Sequence, residues 1–517
     1  MPPTRDDSLS DADIADLRAG ERDPDRVGSQ LTVLRQKRRS TAILRPATLD
    51  DGISRLEDHD RTEMLARHTD ACRAGRVSSF IPASGSGTRL FHSLLQLHRD
   101  QETNLDQVRL RASSGDDVAK DALVVLENIR GFALWPELAN RGCSPHSVGQ
   151  ILRGIFEPGG LRYHDLPKGL VPFHLYNDGV RSAFAEHLHE AAQLTTDVRA
   201  RGQDHGQAQC AVHFTIGELQ MHSFEDARAT ETARIEEAVG VRCRVTFSVQ
   251  SPATDTIASD LYGAICRDDE GRIVFHPGGH GALLKNLAQL GADVVLIKNI
   301  DNTARRETSP QIAAVRRQIS GLLLHLENRV HETLRRLRSG LDVQDALNLL
   351  EREFGVRPSA PLRDDESKRR YAAFQLNRPI RVCGVVSAFD HSGGRPFWAE
   401  TPDRGAALQI VEGAEVDLGD ASTLDLFHRS HHFNPVDIAC SLRDVNGDPF
   451  DLDAFAVPDR AIVARKVLAG VPSLLYEHAG LWNGAMGLWN TAFVEVPDFT
   501  FNPAKSLADL WSPGHRP

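Results

Sequence analysis

The sequence predicts an α/β fold built on a Rossmann-like, mostly parallel sheet. Three observations indicate this fold: strand-like runs at 77–81, 242–249 and 293–298, helix-like stretches between such runs, and short connections. Strands that alternate with helices are typical of a parallel sheet whose faces are covered by helices. We expect a helical segment before this sheet and a strand-rich part after it.

In chain order, the sequence divides into an amino-terminal extension at 1–75 and an α/β domain at 76–510. We expect the extension to be helical and partly disordered, because it is polar and mixed in charge. The predicted elements are a helix at about 50–74, a strand at 77–81, a helix at 90–97, a helical insertion at 98–160, a strand at 210–215, a helix at 222–239, a strand at 242–249, a helix at 281–290, a strand at 293–298, a helical segment at 305–375 and a β-rich part at 380–510.

Composition and charge exclude several classes of protein. The 517 residues are 41% hydrophobic and 25% charged, as in chains with a packed core. A net charge of −11 without a concentrated basic patch speaks against nucleic acid and acidic membrane surfaces as partners. We find no apolar run of the roughly 18 residues that a spanning helix needs, no secretory signal and no Cys-x-x-Cys pair among seven cysteines. We therefore expect a cytoplasmic protein with reduced thiols.

A turn with two glycines joins the first predicted strand to the next helix. Glycines leave backbone N–H groups open to an anion, and a helix amino end adds partial positive charge. The turn lacks the Gly-Lys-Ser/Thr ending of a Walker loop and the third glycine of the dinucleotide fingerprint, and it could also be a simple connection. The candidate phosphate ligands are Ala83, Ser84, Gly85, Ser86, Gly87 and Thr88, followed by Arg89.

Three isolated charges stand where an anion site would need them. Lys168 lies between Pro167 and Gly169 in an apolar segment, and it is either a surface lysine or a fixed charge for a phosphate. Asp301 ends an apolar strand, where Mg²⁺ with substrate phosphates would offset the cost of an unpaired carboxylate. Lys505 follows a strand-like run, and a surface lysine is an equal alternative.

Seven short motifs in a fixed order resemble those of nucleotide-sugar pyrophosphorylases, closest to the UDP-N-acetylhexosamine and UDP-glucose pyrophosphorylase group. The chain as a whole also resembles an uncharacterised bacterial family of the same nucleotidyltransferase superfamily. The resemblance implies a GT-A-like nucleotide-diphospho-sugar transferase fold. The motifs are Ala83–Leu90, Pro167–Gly169, Val245–Gln250, Pro277–Leu283, Lys298–Asn302, Leu408–Glu412 and Phe501–Lys505.

The resemblance also implies a reaction and a role for each candidate. The reaction transfers a nucleoside monophosphate, UMP from UTP, to a sugar 1-phosphate and releases pyrophosphate. The loop 83–88, Gln250 and Gly281 would bind the nucleotide, and Arg89, Lys168, Asp301 and Lys505 would be catalytic. Asn302, Glu412 and Asn434 would face the sugar, although Glu412 and Asn434 could also be polar residues of turns or strand edges. Asp301 would hold Mg²⁺, with Asp260, Asp437 and Asp498 as candidates for a second carboxylate.

Three departures from the group's pattern and one alternative function remain open at this level. Ser84 stands where the group usually has glycine, and His280 where it often has asparagine. The insertion at 98–160 separates Arg89 from Lys168 and could be a lid, a partner surface or a sign that Lys168 has another role. A non-catalytic binding or sensor protein with the same fold is the alternative function. A zinc site at His428, His431 and His432 is disfavoured, because no cysteine or carboxylate stands at useful spacing, and Ser84 is not in a nucleophile elbow.

Overall fold

The computed structural model describes residues 9–20, 22–36, 40–195, 209–340, 343–387, 393–402, 404–468 and 470–517. The extension at 1–75 is expected to be helical and partly disordered; its residues 1–8 lie outside the described residues, while Asp11–Ala19 and Pro24–Arg35 are helices. None of the helices within those ranges combines the length and the apolar composition that a bilayer crossing demands.

The strands and helices of the described residues are numbered here in chain order. The strands are β1 Ile43–Pro46, β2 Thr48–Leu49, β3 Gly52–Arg55, β4 Val77–Pro82, β5 Pro172–Tyr176, β6 Gly179–Ser182, β7 Gln209–Ile216, β8 Arg242–Val249, β9 Thr256–Asp260, β10 Phe275–His276, β11 Val294–Ile297, β12 Ile380–Ser387, β13 Arg395–Thr401, β14 Gly405–Val411, β15 His432–Ser441, β16 Ile462–Leu468, β17 Val471–Glu477 and β18 Asn490–Glu495. The helices are α1 Asp11–Ala19, α2 Pro24–Arg35, α3 Arg61–Arg73, α4 His92–Arg99, α5 Leu105–Ser113, α6 Asp117–Glu127, α7 Trp135–Asn140, α8 Val148–Phe156, α9 Ala183–Leu194, α10 Met221–Val239, α11 Leu284–Gln289, α12 Ser309–Arg338, α13 Val343–Phe354, α14 Asp365–Leu376 and α15 Ala421–His428.

A nine-stranded sheet forms the centre of the fold, with the strand order β2-β3-β18-β12-β15-β11-β4-β7-β8. Neighbouring strands run parallel everywhere except at β15, which is antiparallel to both β11 and β12. The predicted α/β class with a mostly parallel sheet is therefore confirmed. Because eight strands share one direction, their carboxyl ends meet at one edge, where ligands bind in such sheets.

Both faces of this sheet are buried. Alternate side chains of β11 point to opposite faces, so Val294 and Leu296 pack under α12 and its neighbouring helices. Val295 and Ile297 pack on the other face, against α11 and the segment 481–489. This two-sided burial explains why β11 is a continuous apolar run with no polar alternation.

The expected helix at about 50–74 is only partly correct. Its second half is α3, Arg61–Arg73, but Gly52–Arg55 is strand β3. Strand β3 pairs in parallel with β18, where Phe493 faces Ile53 and Glu495 faces Arg55. The residues at 52–55 form a strand because they pair with a strand about 440 positions further along the chain. The spacing of neighbouring residues cannot indicate such a distant partner.

The carboxyl-terminal part is rich in strands, but it is not a separate layer. Strands β12, β15 and β18 belong to the central sheet, while β13 and β14 form a three-stranded sheet with β1. Strands β9, β10, β16 and β17 form a further antiparallel sheet. The predicted domain boundaries stay predictions.

A chain of buried ionic groups fixes helices to the sheet. Glu190 of α9 accepts from Lys298 Nζ at 2.6 Å and from an Arg316 terminal nitrogen at 2.7 Å. Arg316 of α12 also donates through Nε to Asp437 Oδ1 of β15 at 2.9 Å. All four side chains are buried, so the loss of one partner would leave an uncompensated charge in the interior. Asp437, a candidate for a second metal carboxylate, is therefore bound to Arg316 inside the protein.

Two buried histidines and Glu190 make the stability depend on pH. Burial lowers the pKa of His213 to about 4, and burial followed by the charge of Lys298 lowers that of His187 to about 4. Burial alone would raise the pKa of Glu190, but Lys298 and Arg316 outweigh it and lower that pKa to about 2. All three groups bind fewer protons in the folded state than in the unfolded state, so stability increases with pH in this range.

We predict that the free energy of unfolding, measured by urea denaturation, rises between pH 4 and pH 7 and levels off above the ordinary histidine pKa of 6.5. Each histidine contributes up to about 3 kcal/mol to this rise. The variant His213→Gln should lower the slope of the unfolding free energy against pH, because one fewer proton is taken up on unfolding. Glutamine keeps a polar group near Thr246 and Ser248 but does not titrate. The control His222→Gln removes an exposed histidine of α10 and should leave the slope unchanged. Equal stability of the unsubstituted protein at pH 4 and pH 7 would contradict the prediction.

Candidate active site

The predicted turn after β4 is an exposed loop with unpartnered amides. Its start is fixed because the Ala83 N–H donates to the Thr215 carbonyl at the end of β7, at 2.8 Å. Ser84, Gly85 and Ser86 are exposed, and within the described chain their N–H groups donate to no acceptor. Successive free amides of this kind form a concave site that favours an anion.

The segment that carries Lys168 lies directly against this loop. The Lys168 N–H donates to the Gly85 carbonyl at 2.9 Å, and the Gly87 N–H donates to the Leu166 carbonyl at 2.9 Å. A side chain at Gly87 would place Cβ only 2.8 Å from the Leu166 oxygen, so this approach requires glycine. Helices α5–α8 of the insertion lead back into this segment, and the insertion therefore returns Lys168 to the loop.

Asp301, just beyond the carboxyl end of β11, joins the same site. Lys168 Nζ donates to Asp301 Oδ2 at 3.0 Å, with 13% of the lysine side chain and 25% of the aspartate side chain exposed. Both partners are thus mostly shielded from water while part of each stays accessible. An ion pair in this position holds a cation and a carboxylate where a polyanion could reach both.

A fourth segment completes a closed circuit of contacts. The Ala504 N–H donates to the Asp301 carbonyl at 2.9 Å, and the Leu507 N–H donates to the Leu90 carbonyl at 2.8 Å. Lys505 lies between these two anchors and is exposed. Arg89 precedes Leu90, is exposed, and forms no ion pair with any residue that the structure describes. We call the residues Ser84–Arg89, Lys168, Asp301 and Lys505 the phosphate-side group.

Gln250 and Gly281 lie at the neighbouring end of the sheet edge. Gln250 follows β8 directly, and its Nε2 is 3.5 Å from Asp255 Oδ1. Asn286 of α11 donates to the carbonyl of Val249 at 3.0 Å, which holds the turn before α11 against this strand end. A Cβ at Gly281 would lie 2.1 Å from the Ala479 oxygen, so only glycine fits.

Glu412 is linked to the same turn through an aromatic contact. Trp482 Nε1 donates to Glu412 Oε1 at 3.3 Å, and the Trp482 ring stacks on His280 with 4.2 Å between ring centroids. Glu412 is half-buried. These contacts link Gln250 and Gly281 at the sheet edge to Glu412, which follows β14 of the three-stranded sheet, and we call the three residues the base-side group.

The two predicted asparagines differ in what their side chains do. Asn302 is buried, its Oδ1 accepts from the Asn502 N–H at 2.9 Å, and its Nδ2 has no partner among the described residues. Asn434 is also buried, but its Nδ2 donates to the Gly384 carbonyl at 2.7 Å and its Oδ1 accepts from the Val436 N–H at 3.1 Å. Asn434 therefore stabilises an irregularity within the sheet, a role that differs from the predicted contact with a sugar.

None of the three candidates for a second carboxylate is brought to Asp301 by a contact in the structure. Asp260 Oδ1 accepts from the N–H groups of Tyr262 and Ala264 in a hairpin turn of another sheet, and Asp437 binds Arg316. Asp498 is exposed after β18. Among the described residues, no group of three or more His, Cys, Asp or Glu side chains could hold a metal ion. A metal at Asp301 would need substrate oxygens as its other ligands.

Sequence reasoning missed a buried chain that supports the fourth segment. Glu186 Oε1 is 2.8 Å from His174 Nδ1 and accepts from the Tyr176 hydroxyl at 2.8 Å. His174 Nε2 is 2.8 Å from His515 Nδ1, and His515 Nε2 donates to the Asn502 carbonyl at 3.0 Å. Burial lowers the pKa of His515 to about 3, so this ring is neutral at pH 7. The spacing of these residues carries no signal, because they come from two distant parts of the chain, 174–186 and 502–515.

Comparison with protein families finds one match over nearly the whole chain. The family model described as "Domain of unknown function (DUF4301)" matches residues 10–516. Comparison with curated proteins finds no match.

Comparison with solved structures finds nucleotide-sugar pyrophosphorylases over most of the chain, in agreement with the resemblance of the motifs. UDP-N-acetylglucosamine pyrophosphorylase from Trypanosoma brucei is 15% identical, covers 97% of this chain and 78% of its own, and has a TM-score of 0.46. UDP-glucose pyrophosphorylase from Leishmania major in complex with UDP-glucose is 12% identical, with coverages of 98% and 79% and a TM-score of 0.43. At these values the likeness carries no argument about activity, which has to come from the residues of the site.

The two glycines of the loop provide a test of its geometry. We predict that Gly87→Ala destabilises the protein by about 1–3 kcal/mol in thermal or urea unfolding, because the new Cβ forces the Leu166 carbonyl away. The matched control is Gly85→Ala, whose Cβ would meet nothing within 4 Å and should change stability by no more than about 0.5 kcal/mol. Equal effects of the two substitutions would contradict the packing of residues 166–168 on the loop.

Proposed function

This chain belongs to the DUF4301 family, and we propose that it is a nucleotidyltransferase that transfers UMP from UTP to a sugar 1-phosphate with release of pyrophosphate. The observation that carries the proposal is the phosphate-side group. Three free loop amides, the Lys168–Asp301 ion pair and the exposed Arg89 and Lys505 meet at one sheet edge through contacts between four chain segments. Two phosphorylated substrates need this combination of donors, cations and one carboxylate.

The proposed reaction needs little general acid–base catalysis. An oxygen of the sugar phosphate, already ionised at neutral pH, attacks the α-phosphorus of UTP, and the bond from that phosphorus to the pyrophosphate oxygen breaks. Catalysis then consists of holding two anions in line and offsetting their charge. In this proposal the loop amides and Arg89 bind the triphosphate, Lys168 offsets charge at the α-phosphate, and Lys505 binds the sugar phosphate.

The base-side group would select the other parts of the substrates. Gln250 and Gly281 would face the base, and Glu412 and the unpartnered Nδ2 of Asn302 would face sugar hydroxyls. The choice of uridine rests on the resemblance of the motifs at 245–250 and 277–283 alone. Asn434 is not part of the proposal, because its side chain is used within the sheet.

The residues present fit a Mg²⁺ ion that is bound mainly by substrate. Mg²⁺ commonly takes one or two carboxylates and completes its ligands with phosphate oxygens and water. Asp301 supplies one partly exposed carboxylate beside the amides that would hold the triphosphate. When bound there, the ion would offset negative charge on the phosphates.

One observation favours a second candidate function, a non-catalytic protein that binds nucleotide or nucleotide sugar. Asp301 is paired with Lys168, and it belongs to no group of three or more His, Cys, Asp or Glu side chains suited to a metal among the described residues. A binding protein could use this ion pair to hold the loop in shape and would need no metal.

An assay of pyrophosphate release separates the two candidates. We predict that the purified protein with Mg²⁺ releases pyrophosphate from UTP in the presence of a matching sugar 1-phosphate, screened over four nucleoside triphosphates and a panel of sugar 1-phosphates. Nucleotide binding by calorimetry without pyrophosphate release from any pair would support the binding protein instead. Release with another triphosphate but none with UTP would correct the base and keep the reaction.

Single substitutions test the roles of the ion pair. We predict that Lys168→Met and Asp301→Asn each lower kcat/KM by about 100- to 1000-fold, because each removes charge that acts on the reacting phosphates. The matched control is Lys120→Met, which removes the lysine of an exposed ion pair with Asp117 on α6 and should leave kcat/KM unchanged. Unfolding curves of all three variants serve to separate lost activity from lost structure. Wild-type activity in folded Lys168→Met would remove Lys168 from the proposed mechanism.

A further inference from the structure

Two cysteines on neighbouring strands form a second reactive site. Cys210 of β7 and Cys243 of β8 are directly paired in the register of these parallel strands. Their sulfur atoms are 3.1 Å apart, and the Cys210 thiol donates to the Cys243 sulfur. No other two cysteines in the described chain show such a contact between their sulfur atoms.

The backbone geometry already suits a covalent bond between these sulfurs. Neighbouring strands lie about 4.8 Å apart, which falls within the range of Cα separations found in disulfides, about 4.4–6.8 Å. Both side chains point to the same face of the sheet, because residues in register across parallel strands do so. Bond formation would bring the two sulfurs from 3.1 Å to the roughly 2.05 Å of a disulfide.

The two thiols differ in a way that assigns them different roles. Cys243 is half-buried and Cys210 is buried, so a small reagent meets Cys243 first. The hydrogen bond from the Cys210 thiol lowers the pKa of Cys243 against the opposing effects of burial and Glu236, and the same bond followed by burial raises the pKa of Cys210. Cys243 is therefore the better attacking thiolate, and Cys210 is positioned as the second thiol.

Three further cysteines lack this activation. Burial raises the pKa of Cys72 to about 12 and that of Cys383 to about 11, and it raises the pKa of Cys440 as well. Their thiols stay protonated at neutral pH and make poor nucleophiles. Cys143 is half-buried, and its thiol donates weakly to the Gln150 carbonyl.

We propose that Cys210 and Cys243 are a thiol–disulfide exchange site that reacts reversibly with low-molecular-weight disulfides. The Cys243 thiolate attacks one sulfur of the small disulfide, forms a mixed disulfide and releases one small thiolate. Cys210 then loses its proton to solvent and attacks the Cys243 sulfur, which releases the second small thiolate. Two protein thiols are oxidised to one disulfide, and one small disulfide is reduced to two thiols, so electrons and atoms balance without a further reactant.

This site is separate from the proposed active site. Cys210 lies six positions before Ile216, at the opposite end of β7 from the loops that bind phosphate in the proposal. At the rise of a strand this separation is about 20 Å. The exchange chemistry therefore holds or fails independently of the proposed nucleotidyltransferase activity.

Oxidised glutathione is the probe for the test. After its incubation with the fully reduced native protein, we expect the number of free thiols in denaturant to fall from the seven of the sequence to five, with disulfide mapping that links Cys210 to Cys243. Dithiothreitol should restore all seven thiols. Seven remaining thiols, links to other cysteines, or disulfides between chains would overturn the proposal.

Variants distinguish the two roles. Cys210→Ser should trap glutathione on Cys243 as a stable mixed disulfide, visible as a gain in mass, and Cys243→Ser should take up none at Cys210. The matched control Cys143→Ser should still lose two thiols on oxidation. If Cys210→Ser does not fold, the half-buried Cys243→Ser variant decides: a thiol loss equal to that of the unsubstituted protein would overturn the proposal.

Discussion

The ion pair between Lys168 and Asp301 is the contact on which the geometry of the candidate site depends. It joins residues 133 positions apart, one at the end of the helical insertion and one at the tip of a buried strand. Lys168 is in turn bonded to the glycine loop, and Asp301 to the segment that carries Lys505. The pair thus links the loop segment and the strand tip directly, in addition to the backbone contacts that run through residues 504–507. The insertion that separates the motifs along the chain thus serves to bring them together in space.

Buried polar chains hold the elements that carry this ion pair. Glu190 of α9 bonds both Arg316 of α12 and Lys298. Lys298 directly follows β11 and lies three positions before Asp301. Glu186, His174 and His515 support the carbonyl of Asn502, next to the contact with Asn302. A buried charge or imidazole is tolerated only with a partner at the right distance. Such chains of buried polar contacts therefore restrict the relative positions of the helices and strands more strictly than apolar packing does.

The sequence predicts well those parts of the fold that depend on the type and spacing of neighbouring residues. Strands β4, β8 and β11 are short runs between turns, and their predicted bounds agree with the structure to within one residue. The local spacing favours a helix at β3, whereas its strand conformation depends on pairing with β18 at the other end of the chain. Similarly, Lys168 and Asp301 can be recognised in the sequence as isolated charges in apolar segments. The spacing of His174 and His515 gives no indication that the two side chains are in contact.

The α/β class, the glycine loop and the set of charged residues suited to phosphates follow from local patterns in the sequence, because turn chemistry and apolar runs act over a few neighbouring positions. Which of those residues meet depends on the tertiary structure. It joined Lys168 to Asp301, bound Asn434 and Asp437 within the interior, and set Cys210 against Cys243. The physical reason is that these contacts follow from strand order and helix packing, which depend on the whole chain at once.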